Sequence, residues 1–202
     1  MHRPLIIGIT GGIGSGKSTL SKKLRTEGYL VYDCDIEARR LQNEHPLIRQ
    51  QLQEYFGPEI YTDQGLNRKA LANIVFGMPD LMSKVMAIVH PVVKEDFKKW
   101  IENRSMHKLL FMESAILFES GFEIFVDKVI LMTASEEVRI RRVMKRDSIT
   151  HEQVRARMSH QIPDEKKITR SDFVIYTDDN KPLVDKMKKI LVELCEYKLL
   201  NC

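Results

Sequence analysis

The 202-residue chain is predicted to fold as an α/β protein, with a parallel sheet wrapped by helices on both faces. Short and almost wholly apolar runs recur along the sequence, which is typical of strands that are buried on both faces. Segments with helical periodicity separate these runs, and a glycine-rich stretch joins the first run to the first helix. The composition, 43% hydrophobic and 30% charged, indicates an ordinary globular chain, which we interpret as a single domain over residues 1–202.

The strands are predicted from their apolar character and their spacing. The first, Leu5 to Thr10, precedes a helix over about 17–27, in which Leu20 and Leu24 share one face and Gly28 supplies the stop. Four more short apolar runs predict the remaining strands, at 29–32, 109–112, 128–132 and 173–176.

The stretch between the second and third strands is too long for an ordinary crossover, since it holds roughly 70 residues without a convincing strand. Helical patterns cover residues 36–43, 46–56, 68–76 and 79–104. We interpret about 36–105 as a helical insertion over the carboxyl edge of the sheet, where open α/β sheets bind their ligands. The insertion is placed to bind an acceptor substrate, although most of its residues are expected only to pack.

Charge and cysteine usage exclude several classes of protein. The cysteines, Cys34, Cys195 and Cys202, are odd in number and lack CxxC spacing, which argues against a disulfide framework or a zinc site. No stretch approaches the ~18 apolar residues of a membrane span, and the apolar run that follows the first four residues is too short for the hydrophobic region of a signal sequence. The net charge of +4 is mild and spread along the chain. We therefore expect a cytoplasmic protein with anionic substrates and with no nucleic-acid or membrane partner; the oligomeric state is left open.

Residues 8–19 read GITGGIGSGKST and have the pattern of a phosphate-binding loop. The pattern G-x-x-x-x-G-K-[ST] lies between a strand and a helix, so that glycines let backbone N–H groups approach phosphate oxygens at the positive end of the helix dipole. Lys17 is then assigned to the β- and γ-phosphates of a nucleoside triphosphate, and the Ser18 hydroxyl to Mg²⁺. The predicted nucleotide-binding residues are Gly11, Gly12, Ile13, Gly14, Ser15, Gly16, Lys17, Ser18 and Thr19.

The loop alone does not decide what happens to the nucleotide. A guanine-specific NKxD pattern is absent, because Asn180-Lys181 continues as Pro182-Leu183. Motors and helicases usually need a longer chain and an acidic residue at the end of a strand. Glu113 follows the third predicted strand and meets the second requirement, so an ATPase is not excluded by that feature. A small-molecule kinase or a non-catalytic nucleotide-binding protein would carry the same loop.

Two carboxylates, Asp33 and Asp35, stand two residues apart at the end of the second predicted strand. In extended backbone their side chains project to the same side, as a general base or an indirect Mg²⁺ ligand requires. The alternative is that Asp35 only caps the helix beginning near Ile36.

A basic stretch, RIRRVMKR, covers residues 139–146. On a helix, Arg139, Arg142 and Arg146 form one stripe, and Arg141 and Lys145 form another. One stripe is expected to be solvated, whereas the other is a candidate lid in which guanidinium groups clamp the transferring phosphates.

Taken together, these segments resemble the dephospho-CoA kinase family. The likeness runs over nearly the whole chain, from GITGGIGSGKST through YDCDIEARRL, IVHPVV, AILFESG and RIRRVMKRD to SDFVIYTDDNKPL. It implies a P-loop kinase fold like that of adenylate kinase, with a sheet core, a helical acceptor region and a lid at about 139–165. It also implies transfer of the γ-phosphoryl group of ATP, with Mg²⁺, to the ribose 3′-hydroxyl of dephospho-CoA.

The resemblance also assigns roles to individual residues. It places the family's D-x-D motif on Asp33 and Asp35, with Asp35 as the base that accepts the proton of the 3′-hydroxyl. Arg142 and Arg146 correspond to lid arginines with a catalytic role. The acceptor side is matched by Arg39, His90 and Glu119.

The chain departs from the family pattern at four places. Cys34 replaces a small residue, and Glu113-Ser114-Ala115 replaces the more usual Asp-Val-Pro. Ser171 stands where alanine is usual, and Thr177 stands about where an asparagine near the adenine is common. The family pattern therefore does not assign the role of Glu113 near Mg²⁺ or the contacts that hold the adenine.

Overall fold

The structure, a computed structural model, describes residues 3–159, 161–178 and 182–200. The chain divides into two compact units. The sheet unit contains the residues through Asp33 and those from Arg104 onward, and the helical unit is Cys34–Asn103.

The sheet unit is built on five parallel strands. They are β1 (Leu5–Thr10), β2 (Val31–Asp33), β5 (Leu109–Glu113), β6 (Lys128–Thr133) and β7 (Phe173–Tyr176). The two short strands β3 (Tyr61–Thr62) and β4 (Gly65–Leu66) belong to the helical unit. Their order across the sheet is β2-β5-β1-β6-β7. The central strand β1 has only buried residues and pairs in parallel with β5 and β6. The predicted fold class is confirmed, because a central strand buried on both faces requires layers on each side.

Among the described residues of the sheet unit, five α-helices complete its layers. They are α1 (Lys17–Thr26), α6 (Glu136–Asp147), α7 (His151–Met158), α8 (Asp164–Ile168) and α9 (Leu183–Leu200). A buried apolar cluster joins the sheet to two of these helices, with Ile7 and Ile9 of β1, Leu20 and Leu24 of α1, and Leu194 of α9 among its members. The helical periodicity of Leu20 and Leu24 thus fixes α1 against β1, which also fixes the loop between them.

The helical unit contains four α-helices, a 3-10 helix at Pro58–Ile60 and a short hairpin. The helices are α2 (Cys34–Glu44), α3 (Pro46–Phe56), α4 (Arg68–Val75) and α5 (Pro79–Glu102), and the hairpin pairs β3 (Tyr61–Thr62) with β4 (Gly65–Leu66). Proline begins two of the helices, where its missing N–H has no intrahelical partner to lose. The Asn67 side chain begins α4 by accepting a hydrogen bond from the Ala70 N–H at 3.0 Å.

Three sequence-based expectations about local structure were wrong. The second strand covers Val31–Asp33 rather than 29–32, and the hairpin of β3 and β4 was not predicted. The backbone is not extended through Asp35, because α2 begins at Cys34, so that Asp33 ends a strand and Asp35 lies in the first turn of a helix. Asp35 is therefore not the residue before the helix either.

No helix within the described residues is both long and apolar enough to span a membrane.

Candidate active site

The predicted phosphate-binding loop lies at the carboxyl edge of the central strand. β1 ends at Thr10 and α1 begins at Lys17, with Gly16 in the left-handed conformation directly before it. The loop therefore connects the middle of the sheet to the amino end of a helix. Both features favour anion binding, because ligands bind beyond the carboxyl ends of parallel strands and helix amino ends carry partial positive charge.

Two glycines of this loop occupy positions that a side chain could not share. Gly11 has φ +146°, and a Cβ there would lie 2.1 Å from the carbonyl oxygen of Met132. Gly14 has φ +80°, and a Cβ there would lie 2.6 Å from the carbonyl oxygen of Arg139. The loop is therefore packed against the backbones of β6 and α6, and its glycines are required by contact as well as by conformation.

The Lys17 ammonium lies against its own loop. Its Nζ donates to the carbonyl oxygens of Gly11 at 2.8 Å and Gly12 at 3.3 Å. Ser18 and Thr19 follow as exposed residues of the first turn of α1. The cation and the first-turn hydroxyls are thus presented together at the start of the helix, as phosphate and Mg²⁺ binding requires.

Two carboxylates lie across from each other at the same edge of the sheet. Asp33 ends β2 and is in register with Glu113, which ends β5. Glu113 is 7% exposed, and its Oε2 has no hydrogen-bond partner among the described residues. Burial raises the pKa of the Glu113 carboxyl, the nearby Ser21 hydroxyl opposes this, and the charge of Asp33 adds to the rise.

The carboxylate oxygens at this edge of the sheet, with the Ser18 hydroxyl, fit a magnesium ion that is held mostly by phosphates and water. No cluster of three or more His, Cys, Asp or Glu side chains suited to a metal occurs in the parts of the chain that the structure describes. Mg²⁺ in nucleotide sites needs only one or two protein oxygens, since substrate phosphates and water complete its octahedron. Ser18, with the buried acid Glu113 beside Lys17, supplies a donor set of that kind.

Replacing Glu113 with Gln is expected to raise the melting temperature more at neutral than at acid pH. Because the pKa of Glu113 is raised in the folded protein, its contribution to stability is complete below the ordinary value of 4.5 and is lost as pH rises through the folded pKa. Thermal unfolding at about pH 7.5 and about pH 4.5 measures the difference. Glu27→Gln, at an exposed position of the same unit, is the control, and an equal gain at both pH values would contradict the assignment.

Two side chains that the sequence analysis did not single out as site residues also contact the loop. The Ile13 N–H donates to Oε1 of Gln161 at 2.9 Å. A Cβ on Gly12 would lie 2.0 Å from Nη1 of Arg139, which itself lies 3.5 Å from a carboxylate oxygen of Asp164. Arg139 belongs to the predicted basic stripe, so the sequence indicated its place in part. The Gln161 contact joins residues 148 positions apart, and no local pattern predicts it.

Arg142 connects the loop to the end of β7. It donates to the Gly14 carbonyl at 3.3 Å, and to the hydroxyl and carbonyl of Thr177 at 2.7 Å each. Beside these contacts lies a cavity of about 350 Å³, lined in part by Gly16, Thr19, Arg142, Tyr176 and Thr177. The predicted lid arginine Arg142 thus borders both the phosphate loop and the cavity.

Arg146 has different partners from Arg142 although both lie on α6. Its Nε and Nη2 donate to the Asp147 carboxylate at 2.7 and 3.1 Å, and Arg157 of α7 donates to the same carboxylate at 2.8 Å. The bond from Arg157 joins α7 to the end of α6. Arg146 thus pairs with Asp147 at the carboxyl end of α6, and its catalytic role stays a prediction.

Comparison with known proteins gives this geometry a family. A family model described as dephospho-CoA kinase matches residues 5–182. A dephospho-CoA kinase of Bacteroides fragilis is 39% identical over 188 residues, which cover 93% of this chain and 92% of that protein. The chain belongs to the dephospho-CoA kinase family.

Solved structures agree with the predicted fold. The crystal structure of TT1252 from Thermus thermophilus is similar at a TM-score of 0.82 and 36% identity, covering 97% of this chain and 98% of that one. A shikimate kinase of Bacteroides thetaiotaomicron has a TM-score of 0.52 at 14% identity, covering 95% of this chain and 98% of that one, which shows the fold alone. The predicted P-loop kinase fold is thereby confirmed.

The resemblance to the dephospho-CoA kinase family assigns Glu119 to acceptor binding. In the structure, Glu119 forms an ion pair with the buried Lys167. Its Oε1 lies 3.1 Å from Nζ of Lys167, which is fully buried, and accepts the Ile162 N–H at 2.9 Å. A buried pair of this kind is costly to break from one side. Its observed contacts hold the segment before and within α8, and its acceptor role stays a prediction.

The remaining residues assigned from the dephospho-CoA kinase resemblance lie in the helical unit. Asp35 and Arg39 are exposed on α2, and the Arg39 carbonyl accepts a bond from Arg68 at 3.1 Å. His90 is half-buried on α5, where burial, with a smaller contribution from Lys94, lowers its pKa. A neutral imidazole is therefore expected at physiological pH, and all three acceptor-side roles stay predictions.

Proposed function

We propose that the chain transfers the γ-phosphoryl group of ATP to the ribose 3′-hydroxyl of dephospho-CoA, giving coenzyme A. The observation that carries the proposal is the glycine loop with Lys17, packed between β1 and α1 in a chain of the dephospho-CoA kinase family. The proposed partners are ATP and dephospho-CoA, and the proposed location is the cytoplasm.

ATP is proposed to bind with its phosphates in the glycine loop and its base in the neighbouring cavity. The backbone N–H groups and the amino end of α1 favour the phosphates. Met132 and Leu183 give the cavity apolar surface, and Arg142 and Lys186 give it charge. An apolar slot with a few polar groups is the usual environment of a bound base.

Catalysis is proposed to rest on positioning and charge. Ser18, Asp33 and Glu113 would hold Mg²⁺ together with the phosphates. The bound ion would neutralise charge that develops on the phosphoryl oxygens. Lys17 leaves its carbonyl partners to bind the β- and γ-phosphates, and Arg142 keeps the loop and the lid together. Asp35 accepts the proton of the acceptor hydroxyl as its oxygen bonds to the γ-phosphorus, while the bond from that phosphorus to the bridging oxygen breaks and ADP leaves.

Acceptor-dependent ADP release tests the function. We expect release with dephospho-CoA and much less with a panel of nucleosides, nucleotides and shikimate. A better acceptor in the panel would make the chain another small-molecule kinase, and nucleotide binding without acceptor-dependent release would make it a non-catalytic binding protein.

Arg142→Ala is expected to lower kcat/KM for ATP by about tenfold, through loss of its bonds to Gly14 and Thr177. The matched Arg146→Ala variant is expected to lower the melting temperature, because Arg146 holds the Asp147 carboxylate that also accepts a bond from Arg157 of α7. It is expected to lower turnover less than Arg142→Ala does. Steady-state kinetics and thermal unfolding of both variants measure this. Equal loss of turnover in the two would place Arg146 at the transferring phosphates.

A further inference from the structure

The side chain of Gln161 occupies a backbone donor of the glycine loop. Its Oε1 accepts the Ile13 N–H at 2.9 Å, and Gln161 is half-buried. Ile13 stands between Gly12 and Gly14, which have no side chains with which to hold the loop. Because glycines leave the backbone many conformations, a contact at Ile13 is the means by which the rest of the fold can order this stretch.

The side chain of Ile13 is held by the same part of the fold. It packs against an apolar cluster of Ile140 and Val143 on α6 and Val154 on α7. The N–H and the side chain of Ile13 thus have separate partners. Together these contacts anchor the glycine loop to the elements that follow β6.

Residues 161–167, which we call the anchor segment, are themselves held by a buried carboxylate. The Ile162 N–H, directly after Gln161, donates to Oε1 of Glu119 at 2.9 Å. The same oxygen lies 3.1 Å from Nζ of the fully buried Lys167. One carboxylate oxygen therefore fixes the anchor segment near both its ends.

The middle of the anchor segment is tied to the sheet. Asp164 accepts the hydroxyl of Thr133, the last residue of β6, at 2.5 Å. The same Asp164 oxygen lies 3.5 Å from Nη1 of Arg139, the nitrogen that lies against Gly12. The anchor segment therefore reaches the glycine loop twice, directly through Gln161 and indirectly through Arg139.

We propose that Gln161 is a positioning residue of the glycine loop, held in place by Glu119 and Lys167. The proposal rests on the proposed function, since it concerns the ATP side of that site. The neutral amide oxygen satisfies the Ile13 N–H without placing a negative charge beside the phosphates, as a carboxylate would. A loop that is ordered before ATP binds loses less conformational entropy on binding. Glu119 then acts on the nucleotide side rather than on the acceptor.

Gln161→Met tests the hydrogen bond, because methionine keeps the length of the side chain and removes the amide oxygen. We expect the Kd for ATP, measured by calorimetric titration, to rise about fivefold through loss of one hydrogen bond. Hydrogen exchange of the Ile13 amide, followed by nuclear magnetic resonance, is expected to become about tenfold faster. The KM for dephospho-CoA is expected to stay within about twofold of wild type.

Gln153→Met is the matched control for Gln161→Met. Oε1 of Gln153 also accepts a backbone N–H, that of Thr150, at 2.9 Å, but it does so at the start of α7. Its loss is expected to lower the melting temperature and to leave the Kd for ATP unchanged. An unchanged Kd in Gln161→Met, or an equal rise in Gln153→Met, overturns the proposal. A lower Kd in Gln161→Met overturns it as well, because Gln161 would then compete with a phosphate oxygen for the Ile13 N–H.

Glu119→Gln tests whether the ion pair acts through Gln161. The amide can still accept the Ile162 N–H, but it leaves the Lys167 ammonium without a counter-charge. We expect the Kd for ATP to rise, and the double variant of Glu119→Gln with Gln161→Met to bind ATP no more weakly than Gln161→Met alone. Additive losses, or a rise only in the KM for dephospho-CoA, would contradict the proposed role of Glu119.

Gln161→Met removes no charge from the buried pair, so it decides the role of Gln161 even if Glu119→Gln fails to fold. Binding and exchange are measured without turnover. A wild type that binds ATP but releases no ADP with dephospho-CoA would refute the proposed function, and the test of Gln161 would still give its answer.

Discussion

Replacing Lys17 with Ala is expected to lower kcat/KM for ATP by about 10²- to 10³-fold. The Lys17 ammonium is the cation of the glycine loop itself, bonded to the Gly11 and Gly12 carbonyls. When ATP binds, the same group can turn to the β- and γ-phosphates, whose charge increases toward the transition state. Steady-state kinetics with ATP and dephospho-CoA measure the loss.

Lys22→Ala is the matched control for Lys17→Ala. Lys22 is exposed on the same helix and lies one turn beyond the loop, so its removal tests the charge of α1 without touching the phosphates. Both variants are expected to keep the wild-type circular dichroism spectrum. Similar kinetics in the two variants would show that Lys17 is not the phosphate-binding cation.

Replacing Asp35 with Asn is expected to lower kcat by about 10²-fold or more. The amide keeps the shape of the carboxylate but cannot accept the proton of the acceptor hydroxyl. If Asp35 only stabilised the amino end of α2, the same change would cost about 0.5 kcal/mol of unfolding free energy and leave kcat unaltered. Turnover and thermal unfolding of one variant therefore distinguish the two interpretations of this residue.

Asp63→Asn provides the comparison for Asp35→Asn. Asp63 is exposed between β3 and β4 in the same helical unit, so it controls for loss of one surface carboxylate. A kcat of Asp35→Asn near that of Asp63→Asn would remove Asp35 as the base.

The elements that the sequence predicted well are those whose signal is local. β1 and β7 occupy the predicted positions because apolar runs and breaks mark both their ends. The glycine loop follows from spacing alone. The second strand begins two residues later than predicted. Tyr29, which the apolar pattern had placed in the strand, instead packs edge-on against Phe111, with ring centres 5.5 Å apart.

The parts that could not be predicted depend on contacts between distant residues. The hairpin has strands of two residues each, too short for a periodic pattern. Gln161 reaches Ile13 across 148 positions, and only the folded chain brings them together. The helical start at Cys34 overrode the expected extended backbone at Asp35, because the chain passes from strand to helix without a loop.

Transfer of label from γ-labelled ATP to dephospho-CoA tests the central claim most directly. The reaction is run with wild type and Lys17→Ala, and the product is separated and its phosphate position determined by nuclear magnetic resonance. We predict one labelled product, coenzyme A with the phosphate on the 3′-oxygen, formed by wild type and nearly lost in Lys17→Ala. Label released as inorganic phosphate, or attached to any other position, would contradict the account.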